Sequence, residues 1–365
     1  MFPARRLLEK SSRIPSLDGL RAVSLSLVLF GHLCGTPGFL PRSAASVLGD
    51  LANLGVHVFF IISGFLITSL LLAELDQTGV ISLKSFYLRR TIRIFPAFYV
   101  YLTILVGAAA FGWVHLRPGD LLHAVTYTSN YHPIHSWLTG HLWSLSVEEQ
   151  FYLLWPIVFA LGGAHRAKWV AAMTIAAAPL CRAATMVYLP EAEYGIGWWF
   201  PTIADSIAAG CLLALWKQSL EENPFYKVLL RSRWFFLLIV AVVAMNMKAG
   251  GRLRVVLIES ILNIAICVII HRTVLAQKSL WSRTLNTGAL SFGGALSYSV
   301  YLWQQPFLNR YGSSPLQAFP LNLILAVACG AASFYLIETP MLRLRNRLPK
   351  ERTKKLRVDE AVALP

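Results

Sequence analysis

The chain has 365 residues, of which 56% are hydrophobic and only 14% charged. Soluble domains carry about 25% charged residues, so a freely soluble protein of two or three domains is excluded. The net charge of +15 does not point to nucleic acid, because the basic residues stand in short clusters between apolar runs, as they do where they orient membrane helices and meet anionic lipid.

At about 20 residues per span plus short loops, the chain has room for about ten membrane helices. Residues 1–16 form a basic segment with Arg5, Arg6, Lys10 and Arg13, read as cytoplasmic and without a cleavable signal peptide. Apolar runs follow at 17–36, 50–73, 94–113, 142–162, 169–188, 197–216, 234–250, 255–271, 288–308 and 319–340. Between the second and third, residues 74–93 read as an inner loop running into a basic, amphipathic helix start. Residues 114–141 form the longest outer loop. It holds His115, His123, His132, His135 and His141, whose spacings match no standard zinc motif, and no metal is expected. The five cysteines are scattered and read as small apolar core residues. Residues 343–365 read as a basic, then acidic, cytoplasmic tail.

With the N-terminus inside, Lys84, Arg89, Arg90, Arg93, Arg166, Lys168, Lys217, Lys227, Arg272 and the basic tail all fall on the inner side, and few basic residues fall outside. A frame shifted by one helix would reverse that bias. The expected fold is all-α: a polytopic membrane helix bundle of about ten transmembrane helices over 17–342, with both termini cytoplasmic.

Ionisable residues inside apolar spans are costly and are functional candidates by default. Here they are Asp18, Arg21, His32, His57, Glu148, Glu149, Arg182, Asp205, Glu259 and Glu338. His32 follows Arg21 by eleven helical steps, close to three turns, so the two share a face roughly 16 Å apart along the axis. A neutral imidazole near mid-membrane is either a general base or a histidine bonded to a neighbouring helix. Asp18 lies one turn before Arg21 and is expected to pair with it. Arg90 and Arg93 share a helix face, and with Arg89 and Lys84 they make a cationic patch that suits phosphate or merely marks topology. Glu148 and Glu149, after Trp143 and Ser144, place carboxylates in the outer part of the fourth span. There they orient a base, bind an acceptor hydroxyl, or bond Ser144 or a neighbouring helix. Arg182 and Asp205 on neighbouring spans read as a structural ion pair.

Five stretches carry a resemblance: Ser16-Leu-Asp-Gly-Leu-Arg-Ala through Phe30-Gly-His32; Val58-Phe-Phe-Ile-Ile-Ser-Gly-Phe65; Tyr87-Leu-Arg-Arg-Thr-Ile-Arg-Ile-Phe-Pro96; His141-Leu-Trp-Ser-Leu-Ser-Val-Glu-Glu-Gln-Phe-Tyr152; and Ser297-Tyr-Ser-Val-Tyr-Leu-Trp-Gln-Gln-Pro306 with Ile337-Glu-Thr-Pro340. In this order and spacing the chain resembles the acyltransferase 3 family of integral-membrane acyltransferases. The resemblance implies that Arg21 and His32 are the family's arginine-to-histidine motif, that Arg90 and Arg93 are its Arg-x-x-Arg motif on the donor side, and that Glu148 is the glutamate of its Trp-Ser-Leu-Ser-x-Glu stretch. Gln304 departs from the pattern, since members often have histidine before Gln-Pro. The chain ends soon after the last apolar run, without the extracytoplasmic esterase-like domain fused to some members.

The expected activity is O-acyl transfer, and acetyl transfer in particular, in the inner membrane of a bacterium. The donor is cytoplasmic acyl-CoA as co-substrate, with no bound cofactor. The acceptor is a hydroxyl of an envelope glycan such as lipopolysaccharide or exopolysaccharide. The expected catalytic residues are His32, Arg21, Glu148 and Asp18, with His32 as base or transient acyl carrier. Arg90, Arg93 and Arg89 are expected to hold the donor, and Glu149, Trp143, Ser144, Asp205 and Glu338 to face the acceptor or serve structure. A proton-coupled secondary transporter would use the same intramembrane ionisable residues, but no paired repeat of the kind many transporters show is evident. No oligomeric state is implied.

Overall fold

The computed structural model describes residues 15–41, 43, 47–248 and 251–347. Most of the expected cytoplasmic segment 1–16 and most of the expected tail 343–365 lie outside the described residues. Every regular element among the described residues is helical. Long apolar runs leave the backbone no water to bond, and a helix satisfies its amides within the segment. The main helices are α1 (Pro15–Leu33), α2 (Leu51–Thr78), α3 (Leu83–Ala110), α4 (Leu142–Tyr188), α5 (Phe200–Glu222), α6 (Phe236–Lys248), α7 (Glu259–Leu275), α8 (Gly288–Trp303) and α9 (Leu321–Ser333). A π-helical turn, Phe334–Glu338, joins α9 to α10 (Thr339–Arg347).

Six helical segments are long and apolar enough to cross a membrane: Leu51–Thr78, Leu83–Ala110, Trp137–Tyr188, Gly195–Glu222, Val255–Leu275 and Leu321–Arg347. A seventh would be the pair Pro224–Arg231 and Arg233–Met247, which meet at 72°. The chain is therefore a multi-pass helical membrane protein. The expectation of about ten spans also counts α1, which carries Asp18 and Arg21 in its first turns, and α8, which has only 16 residues. It further counts the two halves of α4 separately. At about 1.5 Å per residue, α4 would far exceed a core about 30 Å thick if it ran straight. It breaks at Gly163, whose φ of 60° and ψ of −170° no other residue adopts cheaply. The inner-loop end of α3, expected as a basic helix start, is helical from a defined cap. Ser82 caps the helix by accepting the amide of Ser85, so α3 begins at Leu83 and its basic first turns are helix throughout.

Small residues let the helices approach closely. Gly64 on α2 and Gly210 on α5 face each other's neighbouring backbone, so that a Cβ on either would collide with the carbonyl of Ile207 or Ile61. α1 lies between α2 and α8. At its start the Ser16 hydroxyl donates to the Thr273 carbonyl at the end of α7 (3.3 Å). Just past its end the Phe319 amide donates to the Pro37 carbonyl (2.8 Å). The bundle thus has a basic end, which holds Arg21, Arg93 and Arg345, and an opposite end formed by the loops 111–141, 189–199 and 304–320, called the loop end below.

Candidate functional site

A column of polar side chains runs through the bundle between these two ends. At the basic end, Arg93 on α3 lies within electrostatic reach of Arg21 on α1, Glu338 on the π-turn and Arg345 on α10. The Ser299 hydroxyl donates to Glu338 (3.0 Å). Among the described residues, neither Arg21 nor Arg93 stands within ion-pair distance of a carboxylate. Arg21 Nε is buried without a partner. The expected pairing of Asp18 with Arg21 is not formed, although one helical turn separates them.

At mid-bundle, Arg90 lies 3.5 Å from Glu148 and 3.6 Å from Glu149. Its guanidinium carbon stands 3.4 Å from the Tyr152 ring centroid, which adds cation–π attraction. Glu148 accepts hydrogen bonds from Ser63 (2.5 Å) and from the Tyr152 hydroxyl. The Tyr298 hydroxyl, on the residue before Ser299, donates to the Ile94 carbonyl one residue after Arg93 (2.9 Å). The expectation had cations on one side of the membrane and carboxylates on the other. Instead, α3 carries Arg90 about 10 Å inward from the basic end, α4 carries Glu148 about 9 Å inward from the loop end, and their long side chains close the remaining distance.

Toward the loop end, the Ser144 and Tyr301 hydroxyls are hydrogen-bonded to each other (2.5 Å), and the His141 carbonyl, 3.1 Å from both, accepts from the one that does not donate to the other. His141 donates from Nε2 to the Leu302 carbonyl (3.1 Å), and its Nδ1 is buried without a partner. His32, in the last turn of α1, has Nδ1 3.1 Å from Gln304 Oε1. A carbonyl oxygen only accepts, so Nδ1 carries the hydrogen and the lone pair is on Nε2. Trp137 packs edge-on to the imidazole, with centroids 5.6 Å apart. Arg310 donates to the Gly31 carbonyl one residue before His32 (2.9 Å).

Several sequence candidates lie apart from this column. Arg89 is exposed and pairs with Glu74 at 3.7 Å. Trp143 packs against Phe60 and stacks on Trp198. Asp205 is bound by Arg182 and by the Ser260 hydroxyl (2.6 Å). His57 Nδ1 meets Asn263 Oδ1 at 2.7 Å. In the long loop, Asp120 takes His132 (3.2 Å), on which His123 stacks. Burial pulls the His135 imidazole below its ordinary range. Among the described residues no three His, Cys, Asp or Glu side chains group to hold a metal. Gln304, Tyr152, Ser63 and Tyr298 escaped the sequence reading. They carry no charge, so an ionisable-in-membrane search passes over them. Gln304 was visible only as a departure from a motif.

A family model described as an acyltransferase domain matches residues 14–343. Among similar proteins is one from Staphylococcus aureus (strain COL), named only provisionally as an O-acetyltransferase. It is 30% identical over 91% of this chain and 58% of its own length. O-acetyltransferase OatA of Staphylococcus aureus (strain MRSA252) is 28% identical over 93% of this chain and 60% of its own. Peptidoglycan O-acetyltransferase OatA of Listeria monocytogenes serovar 1/2a is 28% identical over 89% of this chain and 54% of its own. The chain thus spans less than two thirds of the curated relatives it matches. No solved structure matches it.

Proposed function

Because the chain belongs to the acyltransferase 3 family, we propose that it is a membrane O-acetyltransferase, which carries an acetyl group from cytoplasmic acetyl-CoA to a hydroxyl of an envelope glycan. The observation that carries this reading is the series of polar clusters between the two ends of the bundle. It begins with Arg21 and Arg93, neither within ion-pair distance of a carboxylate among the described residues, and ends at His32, whose ring is held by Gln304.

The basic end faces the cytoplasm of a bacterial inner membrane, as the distribution of positive charge favours. There Arg93 and Arg21 bind a donor phosphate, since unpaired guanidinium groups fit its oxygens. Arg90, already facing Glu148 and Glu149, positions those carboxylates instead of contacting the donor directly. At the other end, His32 Nε2 accepts the proton of the acceptor hydroxyl as its oxygen attacks the thioester carbonyl carbon. The tetrahedral intermediate collapses, the carbon–sulfur bond breaks, and the departing thiolate takes that proton back from the imidazolium. The products are the acetyl ester and free thiol. A hydrogen bond that fixes the ring tautomer keeps the correct lone pair on the reacting side. The names of the relatives, among them a peptidoglycan O-acetyltransferase, support a glycan acceptor.

The test compares cells carrying the wild-type chain with cells carrying His32→Ala at matched membrane expression. Mass spectrometry of their envelope glycans should reveal an acetyl increment with wild type alone. Equal acetylation in both would remove His32 from the reaction, and the increment's absence from both would remove glycan acetylation.

A further inference from the structure

Around the loop-end side of His32, buried polar atoms stand without partners. Gln305 is 3% exposed and Gln304 0%. Gln305 Oε1, Gln304 Nε2, His135 Nε2 and His141 Nδ1 are all buried and unbonded. Buried polar groups in native proteins are nearly always satisfied, and each exception calls for an explanation. Here the exceptions are neighbours. Trp137 contacts His32 and donates from Nε1 to the Gln305 backbone carbonyl (3.0 Å). Gly140 is the point where His135 and Gln305 converge: a Cβ there would lie 3.0 Å from the His135 ring and 3.7 Å from Gln305 Nε2. His135 bonds the Ser136 carbonyl through Nδ1 (3.3 Å), so its Nε2 is an acceptor. The Trp137 ring continues into exposed Tyr311, 5.4 Å away centroid to centroid.

We infer that Trp137, Gln305 and His135 form the acceptor subsite and take one ring of a sugar. The apolar face of the sugar lies on Trp137. Its hydroxyls donate to Gln305 Oε1 and His135 Nε2, which brings another hydroxyl of the same ring to His32. An aromatic face beside several unpaired acceptors is what a polyhydroxylated ring with an apolar face requires. A linear alcohol would leave most of those acceptors unsatisfied, and a buried site that must bond a ligand rejects one that cannot bond it. Gly140 fits because a side chain there would press on the His135 ring. The reacting group is the one proposed above, so the subsite rests on the acyl-transfer reading.

The experiment uses the purified full chain in nanodiscs and three neutral probes: chitotetraose, maltotetraose and mannotetraose. Saturation-transfer NMR and equilibrium dialysis measure binding, while acetyl-CoA turnover and the KM for acetyl-CoA are measured separately. At least one probe should bind. Trp137→Ala should weaken that binding about tenfold, and Gln305→Ala about fivefold, as loss of one stacking contact and one hydrogen bond implies. Trp137→Phe should retain most of the affinity, Gly140→Ala should reduce it, and the acetyl-CoA KM should stay where it is in every variant. Binding of none of the three probes overturns the subsite. So does unchanged affinity in Trp137→Ala and Gln305→Ala, or a parallel rise in the acetyl-CoA KM, which would reveal a general structural role. Sugar binding that depends on Trp137 without any acetyl-CoA turnover would support the subsite and sink the acyl-transfer reading.

Discussion

Among the described residues two arginines, Arg182 and Arg90, each face two carboxylates, and they are built differently. Arg182, which is fully buried, is saturated. It donates to Asp205, to Glu259 (3.4 Å), to the Ser260 hydroxyl (3.1 Å) and to the Val255 and Ala178 carbonyls (3.0 and 3.4 Å). Arg90 faces Glu148 and Glu149 at 3.5 and 3.6 Å, and its Nε and Glu149 Oε1 lack any hydrogen-bond partner. By composition the two trios are equivalent. By bonding, one is closed and the other retains unused capacity. A closed network fixes helices, whereas an open one is able to rearrange around a ligand or a reacting proton. The saturation of the network thus distinguishes a closed trio from an open one, which charge alone does not.

The sharpest way to break this contrast is Arg182→Met. It leaves Asp205 and Glu259 buried without their guanidinium, and removing one partner of a buried pair costs about 3–5 kcal/mol. Thermal unfolding in detergent should show a large fall in Tm with little folded protein recovered, and Asp205→Asn combined with Arg182→Met should regain part of it. An unchanged Tm in the single variant would erase the structural side of the comparison.

Glu148→Gln comes next and acts on the open trio. It keeps the shape and the acceptor for Ser63 and Tyr152 but removes one charge facing Arg90. Acetyl transfer should fall by about a hundredfold, the scale of loss when reacting groups are misplaced by about 1 Å, while Tm moves by far less than in Arg182→Met. A matching loss of Tm and activity would make this trio structural too.

Gln304→Ala removes the partner of His32 Nδ1. Loss of one hydrogen bond of about 1 kcal/mol predicts a fall in kcat of about fivefold, with the KM for acetyl-CoA unchanged and Gln304→Asn restoring part of the rate. A change in KM alone would place Gln304 with the donor.

Much of this was legible in the sequence, and the rest failed for identifiable reasons. The apolar runs located the helices, because hydrophobic length is a local property. The apolar run at 94–113 leaves out the first turns of α3, since Lys84, Arg89, Arg90 and Arg93 depress local hydropathy, and the sequence shows them only as a basic, amphipathic helix start; in the fold Ser82 caps that start and Glu148 and Glu149 face Arg90 across the bundle. The meeting of Arg90 with Glu148 joins residues from separate helices, and no spacing rule reaches that far. His32 and Arg21 were found because both lie on one helix. Gln304 was passed over because a neutral amide in an apolar span resembles any other polar residue until its partner is known.

The smallest effect is expected at Arg89, and it guards the contrast from the other side. Arg89 stands between Leu88 and Arg90 in the same basic run and was expected to help hold the donor. Yet its side chain is 44% exposed and meets Glu74 at 3.7 Å, one residue and 100° of helix rotation away from Arg90. Exposed ion pairs of this kind are worth about 0–1 kcal/mol. Arg89→Ala should therefore leave Tm and the acetyl-CoA KM within experimental error, whereas Arg93→Ala should raise that KM about tenfold, because a charge-assisted hydrogen bond is worth about 1.5–3 kcal/mol. The two variants remove the same charge from neighbouring turns of one helix. Equal effects would mean that the donor senses only the summed charge of the basic end, and that the placement of Arg93 beside Arg21 does not select it.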